Sequence, residues 1–391
     1  MWWVNRIPKH LPFSTGNFVP GCVDVMLGYT REDPFMRLFY PTNSEHNEKV
    51  NHKKWIPWIE DDNYLVGIAK VIKVPIIILR LVFWWCTNLH VPVSYGEKSR
   101  TEDKLKCIVM SHGLGGNRFL YSKVCCDLAS RGFLVACLEH RDNSASYTYY
   151  YDSDEKAKLD NRTVIEFQHI PFGQKHYQSR NSQIRVRASE CSKIMDVLKN
   201  LNEGSIPHNV LKSVHGKKTV DFDLKELIGK IDTENFTLMG YSFGAATALY
   251  TSSLRDDVRQ CILLDPWMFP IKDEKLEDRI KFPILFLNTQ TFHIESNVKT
   301  MAKFLTNETV EMYTILGTTH ENQTDSVLVV GYWLNWMMRK IDPHLALKIN
   351  NALILTFLHR CMKTPADIQE SEQFLEAMKE FYEEGLTKPW L

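Results

Sequence analysis

The sequence predicts an α/β fold: a mostly parallel, doubly wound sheet flanked by helices. Three observations point there. Apolar runs of strand length recur along the chain, at Leu105 to Met110, Phe133 to Leu138, Phe236 to Met239, Gln260 to Leu264, Pro283 to Leu287 and Val310 to Leu316. Helix-like spans lie between them. The clearest is Gln183 to Leu201, where Ile184, Cys191, Ile194, Met195, Leu198 and Leu201 follow near-helical spacing. Finally, the strand Phe236 to Met239 runs straight into Gly240-Tyr241-Ser242-Phe243-Gly244, and a helix of small residues, Ala245 to Tyr250, runs out.

That last arrangement reads as a nucleophile elbow. A serine hydroxyl stands at the tip of a tight strand-to-helix turn only when its flanks lack bulky side chains, and Gly240 and Gly244 meet that need. Ser242 is therefore the expected nucleophile of a serine hydrolase. Its partners follow in the chain order of α/β-hydrolases, Ser then Asp then His. Asp265 closes the strand one helix further on, whereas Asp256 and Asp257 fall where the preceding helix ends. His320 stands in the loop Gly317-Thr318-Thr319-His320 after the last strand; His293, after the strand Pro283 to Leu287, comes one strand too early. Acyl transfer also places negative charge on a carbonyl oxygen, and preorganised donors must meet it. The backbone N–H of Phe243 is one expected donor. Leu114 supplies the other, in Ser111-His112-Gly113-Leu114-Gly115-Gly116, a loop resembling the HG-rich oxyanion loop of lipases and esterases. Its glycine spacing does not fit a dinucleotide fingerprint.

Five separated motifs carry a family resemblance: Ser111-His112-Gly113-Leu114-Gly115; Glu139-His140-Arg141-Asp142 followed by Ser144-Ala145; Gly240-Tyr241-Ser242-Phe243-Gly244; Leu264-Asp265 with Trp267-Met268-Phe269-Pro270; and Gly317-Thr318-Thr319-His320 with Asp325. Together, over roughly residues 21–336, the chain resembles the platelet-activating factor acetylhydrolases, the family of the plasma lipoprotein-associated enzyme and its intracellular type II relative. The resemblance implies calcium-independent hydrolysis of the sn-2 ester of platelet-activating factor and of phospholipids with short or oxidised sn-2 chains. It implies Ser242 as nucleophile, Asp265 as orienting acid, His320 as base, and Leu114 and Phe243 as oxyanion-hole residues. His112, Gly113, Tyr241 and Trp267 are expected to line the substrate pocket. Pro266 departs from the family pattern and stiffens the loop after Asp265. Glu139-His140-Arg141-Asp142 lacks the companion motifs of a kinase and reads as a hydrogen-bonded network. Two other readings are an α/β-hydrolase carboxylesterase of different ester specificity and a non-catalytic lipid-binding protein on this fold.

The 391 residues, 44% of them hydrophobic, suffice for one α/β-hydrolase domain. Its core is expected over about 21–340, interrupted by insertions near 42–100, 142–181 and 202–232. Residues 341–391 are expected to form a helical extension with helices at Pro343 to Met362 and Asp367 to Leu386. The 47 basic residues balance the 47 acidic ones, which argues against nucleic acid as a partner. Neither a metal nor a cofactor is expected: H-E-x-x-H is absent, and Asp152-Ser153-Asp154-Glu155-Lys156 fails the EF-hand pattern.

The phospholipid partner makes a lipid contact relevant. Tyr64 to Trp85, taken as one helix, gathers Lys70, Lys73 and Arg80 within an arc of about 80° and leaves a wide apolar face. Ile76, Leu79, Trp84 and Trp85 are the candidate membrane contacts of a helix that lies in an interface rather than spanning it; the alternative is a helix covering the core with its basic edge in water. The chain start offers no apolar secretory region, and nine cysteines show no framework spacing. Sequons at Asn235 and Asn322 abut the expected chemistry. A cytoplasmic protein with peripheral membrane contact is expected.

Overall fold

The six apolar runs become strands, and all but the half-buried Val310–Ile315 are buried on both faces. Covered parallel sheets demand such continuous runs, since helices pack over each face. A computed structural model of the chain describes residues 9–44, 52–83, 89–100, 102–214, 220–331 and 340–388. The strands are β1 (Pro20–Met26), β2 (Phe35–Pro41), β3 (Ser94–Tyr95), β4 (Leu105–Ser111), β5 (Phe133–Leu138), β6 (Ile231–Tyr241), β7 (Val258–Leu264), β8 (Ile284–Thr289), β9 (Val310–Ile315) and β10 (Tyr382–Glu384). β10-β9-β8-β7-β6 hydrogen-bond in that order, as do β5-β2-β1-β3. The chain forms two compact units, residues 1–107, 114–171 and 193–233 in the first and 108–113, 172–192 and 234–391 in the second; β4 and β6 have residues in each.

In the first unit β1 and β2 pair antiparallel, β2 and β5 antiparallel, and β1 and β3 parallel. Its interior holds a buried ion cluster. Arg118, fully buried, bonds Asp24 at 2.9 Å, Glu139 at 2.6 Å, the Tyr64 hydroxyl at 2.5 Å and the Glu60 carboxylate, and lies 4.2 Å over the Phe35 ring. Arg37 completes it with a two-pronged bond to Asp24 at 2.8 and 2.9 Å. Burial by itself would raise the Asp24 pKa, but the Arg118 and Arg37 charges outweigh it and hold the carboxyl well below its ordinary 3.8. Glu139-His140-Arg141-Asp142 is thus a network in this unit: Glu139 meets Arg118, and Arg141 donates to the carbonyls of Thr30, Asp33 and Tyr149.

The described part of the run, Tyr64 to Phe83, lies in two helices rather than one, α1 (Asp62–Ile72) and α2 (Ile76–Phe83). Lys73 takes left-handed backbone at φ 57°, its N–H closing on Ala69 O, and Pro75 offers no N–H to carry the first helix onward. Arg80 near the end of α2 pairs with Asp62 at the start of α1 at 2.5 Å, so α2 runs back along α1. This turns Leu79 inward at 7% exposure and leaves Ile76 half-buried, correcting both as outward contacts. The exposed apolar side chains are instead Ile72, Ile77, Ile78 and Leu81. Trp84 and Trp85 lie outside the described residues. No helix among the described residues is long and apolar enough to cross a membrane.

In the second unit β6, β7, β8 and β9 lie side by side and parallel. Helix α3 (His176–Asn202), whose residues from 193 belong to the first unit, meets α4 (Phe243–Ser252) through the Arg187–Thr247 bond at 3.3 Å, while α4 packs on β7 and α5 (Pro343–Met362) on β8 and β9. The expected helix Asp367 to Leu386 is corrected: α6 covers only Gln369–Ala377, and β10 follows. β10 pairs antiparallel with β9 from Tyr313↔Glu384 to Ile315↔Tyr382, because the open edge of β9 offers ladder partners that a lone helix end would not.

Candidate active site

Register sets the site. Tyr241 stands opposite Leu264, Leu264 opposite Leu287, and Thr289 opposite Ile315, so the carboxyl ends of four parallel strands finish at one level. Ser242, Asp265 and His320 follow three of those ends, where open α/β sheets present their chemistry.

At the elbow Ser242 adopts φ 54° and ψ −115°, a conformation that costs a non-glycine residue about 1–3 kcal/mol and is kept only when its surroundings enforce it. They do so through its N–H, which donates to Leu264 O at 2.8 Å, and its carbonyl, which accepts from Trp267 N at 3.1 Å. The flanking glycines are steric necessities: a Cβ at Gly240 would lie 2.2 Å from Gly244 O, and one at Gly244 would lie 2.0 Å from Ser111 O. Phe243 is the first residue of α4, where an N–H has no intrahelical acceptor and the helix dipole is positive.

Asp265 is 1% exposed and has φ 44°. Its carboxylate accepts from Thr289 N at 2.6 Å, from the Thr289 hydroxyl, and from His320 Nδ1 at 2.9 Å. Pro266 leaves all of this in place, since the Asp265 and Trp267 amides make the bonds on either side of it. The Nδ1 contact puts the imidazole proton on the carboxylate side and leaves Nε2 as the acceptor nitrogen. The His320 ring stacks on Phe292, centroids 3.7 Å apart and planes at 17°, and packs at 4.6 Å on Tyr241. Its loop is held by Asn322 Oδ1, which accepts from Thr319 N at 2.7 Å.

The other expected site residues divide. Buried Tyr241 turns its ring to His320 and over Gly113, where a Cβ would lie 2.7 Å from that ring. His112 is buried, its Nδ1 2.7 Å from Gly113 O and 3.1 Å from Arg187 Nη2. Trp267 stacks with Phe269 at 5.8 Å and packs on Phe243 at 5.6 Å. Leu114, half-buried, belongs to the first unit and directly follows Gly113; the next amide, Gly115 N, donates to Ser144 O at 2.7 Å. The rejected alternatives are engaged elsewhere. His293 is buried with Nε2 2.7 Å from the Thr387 hydroxyl, and burial depresses its pKa below 6.5. Asp257 pairs with Arg255 at 2.6 Å. Thr289, Phe292 and Arg187 escaped the motif reading; only the position of the first two at and after the end of β8 marks them. Among the described residues no group of three His, Cys, Asp or Glu is arranged to hold a metal ion.

The model of the family described as platelet-activating factor acetylhydrolase, isoform II, matches residues 5–381. The platelet-activating factor acetylhydrolase of Bos taurus is 32% identical over 390 residues, covering 96% of this chain and 84% of the relative. That of Canis lupus familiaris is 32% identical over 381 residues, covering 96% and 82%. A solved structure, the ferulic acid esterase from Streptomyces cinnamoneus, aligns with TM-score 0.63 at 13% identity over 90% of this chain and 93% of that one, a likeness of fold. The sheet is accordingly of the α/β-hydrolase type, and the chain belongs to the platelet-activating factor acetylhydrolase, isoform II, family.

Proposed function

We propose that this esterase cleaves the sn-2 ester of platelet-activating factor and of related phospholipids with short or oxidised acyl chains, without calcium, giving a lysophospholipid and an acid. The observation that carries the mechanism is the Asp265–His320 bond at 2.9 Å beside a strained Ser242. His320 takes the Ser242 proton as the hydroxyl attacks the carbonyl, and Asp265 fixes the tautomer and stabilises the imidazolium. The Phe243 amide, at the start of α4, receives the oxyanion. The lysophospholipid leaves with a proton from His320; a water deprotonated by the same ring then releases the acid.

Lipid is met through the exposed apolar residues of α1 and α2, Ile72, Ile77, Ile78 and Leu81, flanked by exposed Lys70, Lys73 and Arg80. Eight cysteines among the described residues are free thiols, which supports a reducing, cytoplasmic setting. The test is fluorophosphonate labelling of the wild type and Ser242→Ala, with turnover of phosphatidylcholines graded in sn-2 length in the presence of a calcium chelator. Labelling lost with Ser242 and turnover falling steeply beyond short chains are expected. Equal turnover of long chains would indicate another ester specificity, and an unlabelled wild type would remove the serine chemistry.

A further inference from the structure

We infer that Tyr241 and Phe292 are positioning residues for the histidine: an aromatic clamp that holds the His320 ring and favours it once it carries the Ser242 proton. This rests on the reading of His320 as the base. The two rings come from different strand ends, Tyr241 closing β6 and Phe292 standing in the turn after β8. Their approaches to the imidazole are 3.7 Å with planes at 17° for Phe292 and 4.6 Å with planes at 31° for Tyr241. Both lie within the roughly 6 Å over which an aromatic ring attracts a cation. In the resting enzyme the contact is stacking between neutral rings. As the hydroxyl proton moves to Nε2, the imidazole becomes a cation beside two π-systems, so the contact strengthens on the way to the transition state, where added stabilisation raises kcat rather than lowering KM.

Tyr241 adds a second restraint. Its hydroxyl donates to the backbone carbonyl of His320 itself at 3.1 Å, pinning the loop from which the ring projects. The tyrosine is held in turn by Gly113, which admits its ring at a distance no side chain would allow. The x residue of this G-x-S-x-G therefore anchors the base while its neighbour supplies the nucleophile.

The test uses the full-length enzyme with 4-nitrophenyl butyrate as a soluble ester, the rate of fluorophosphonate labelling of Ser242 as a second readout, and thermal melts to verify folding. Phe292→Leu keeps an apolar side chain and removes the π-face; kcat and the labelling rate are expected to fall together by about tenfold or more, with KM within about twofold. Phe292→Tyr restores most of the loss. Tyr241→Phe keeps the ring and removes only the tether, for a loss of about fivefold in kcat. The clamp is overturned if Phe292→Leu and Tyr241→Phe both fold and keep wild-type kcat while His320→Ala is inactive. Turnover surviving in His320→Ala is a different failure, that of the base assignment itself.

Discussion

Gly244→Ala sets two physical effects against each other at one methyl group. Gly244 is the second residue of α4 and its φ is not in the left-handed region, so alanine suits its backbone; helix propensity taken alone makes the change stabilising by about 1 kcal/mol. The space is otherwise. A Cβ there would stand 2.0 Å from Ser111 O and 2.6 Å from His112 O, and ordinary contact begins at 3.4 Å. Both obstacles are backbone carbonyls, which cannot rotate aside as a side-chain tip would. Strand β4 and helix α4 must separate by more than an ångström, and overpacking of this kind costs about 1–3 kcal/mol, enough to reverse the propensity gain. The displaced carbonyls belong to the loop bearing His112 and Gly113, beside Ser242, where a shift of about 1 Å costs on the order of a hundredfold in rate. We expect Gly244→Ala to melt below the wild type and to lose about two decades of kcat/KM on 4-nitrophenyl butyrate. A variant that melts higher and turns over at the wild-type rate would refute close approach as the reason for this glycine.

Arg118→Met leaves the Glu139 carboxylate with the Tyr64 hydroxyl but no cation, and Asp24 with Arg37 alone; breaking a buried pair costs about 3–5 kcal/mol, read as a lowered urea midpoint, and an unchanged midpoint would mean that the cluster contributes nothing. Because the folded pKa of Asp24 is depressed, its contribution is fully present above the unfolded value of 3.8 and is lost as pH falls below it. Melting temperature should therefore drop on acidification through that range, and Asp24→Asn should flatten the slope while lowering stability at neutral pH. Ile77→Asp with Leu81→Asp should weaken binding to phosphatidylcholine vesicles by about tenfold or more, since each side chain forgoes roughly 1.5–3 kcal/mol of burial. Hydrolysis of 4-nitrophenyl butyrate should persist in that variant, and equal loss of the two activities would assign α2 to the fold rather than to lipid contact.

Much of the molecule was legible before any coordinates. A strand buried on both faces must be an uninterrupted apolar run, and the six apolar runs became strands. Glycines flanking a serine between a strand and a helix signal a backbone conformation that few other sequences serve, so the elbow was readable as well. The expected helix at Asp367 to Leu386 failed because Tyr382 to Glu384 owe their extended form to the edge of β9, a partner some seventy residues away in the chain. Taking the run from Tyr64 onward as one helix misplaced its faces because periodicity does not report the left-handed turn at Lys73.

By itself, then, the sequence located the six apolar strands, the glycine-flanked Ser242 between a strand and a helix, and Asp265 and His320 after later strands, because these follow from burial, backbone sterics and chain direction, which act locally. Only the tertiary structure decided that Thr289 grips Asp265, that Phe292 and Tyr241 enclose His320, that Arg118 gathers three carboxylates, and that Leu79 faces in while Ile77 and Leu81 face out. Those facts depend on which side chains meet after residues far apart in the chain are brought together, and spacing along the chain does not encode that distance.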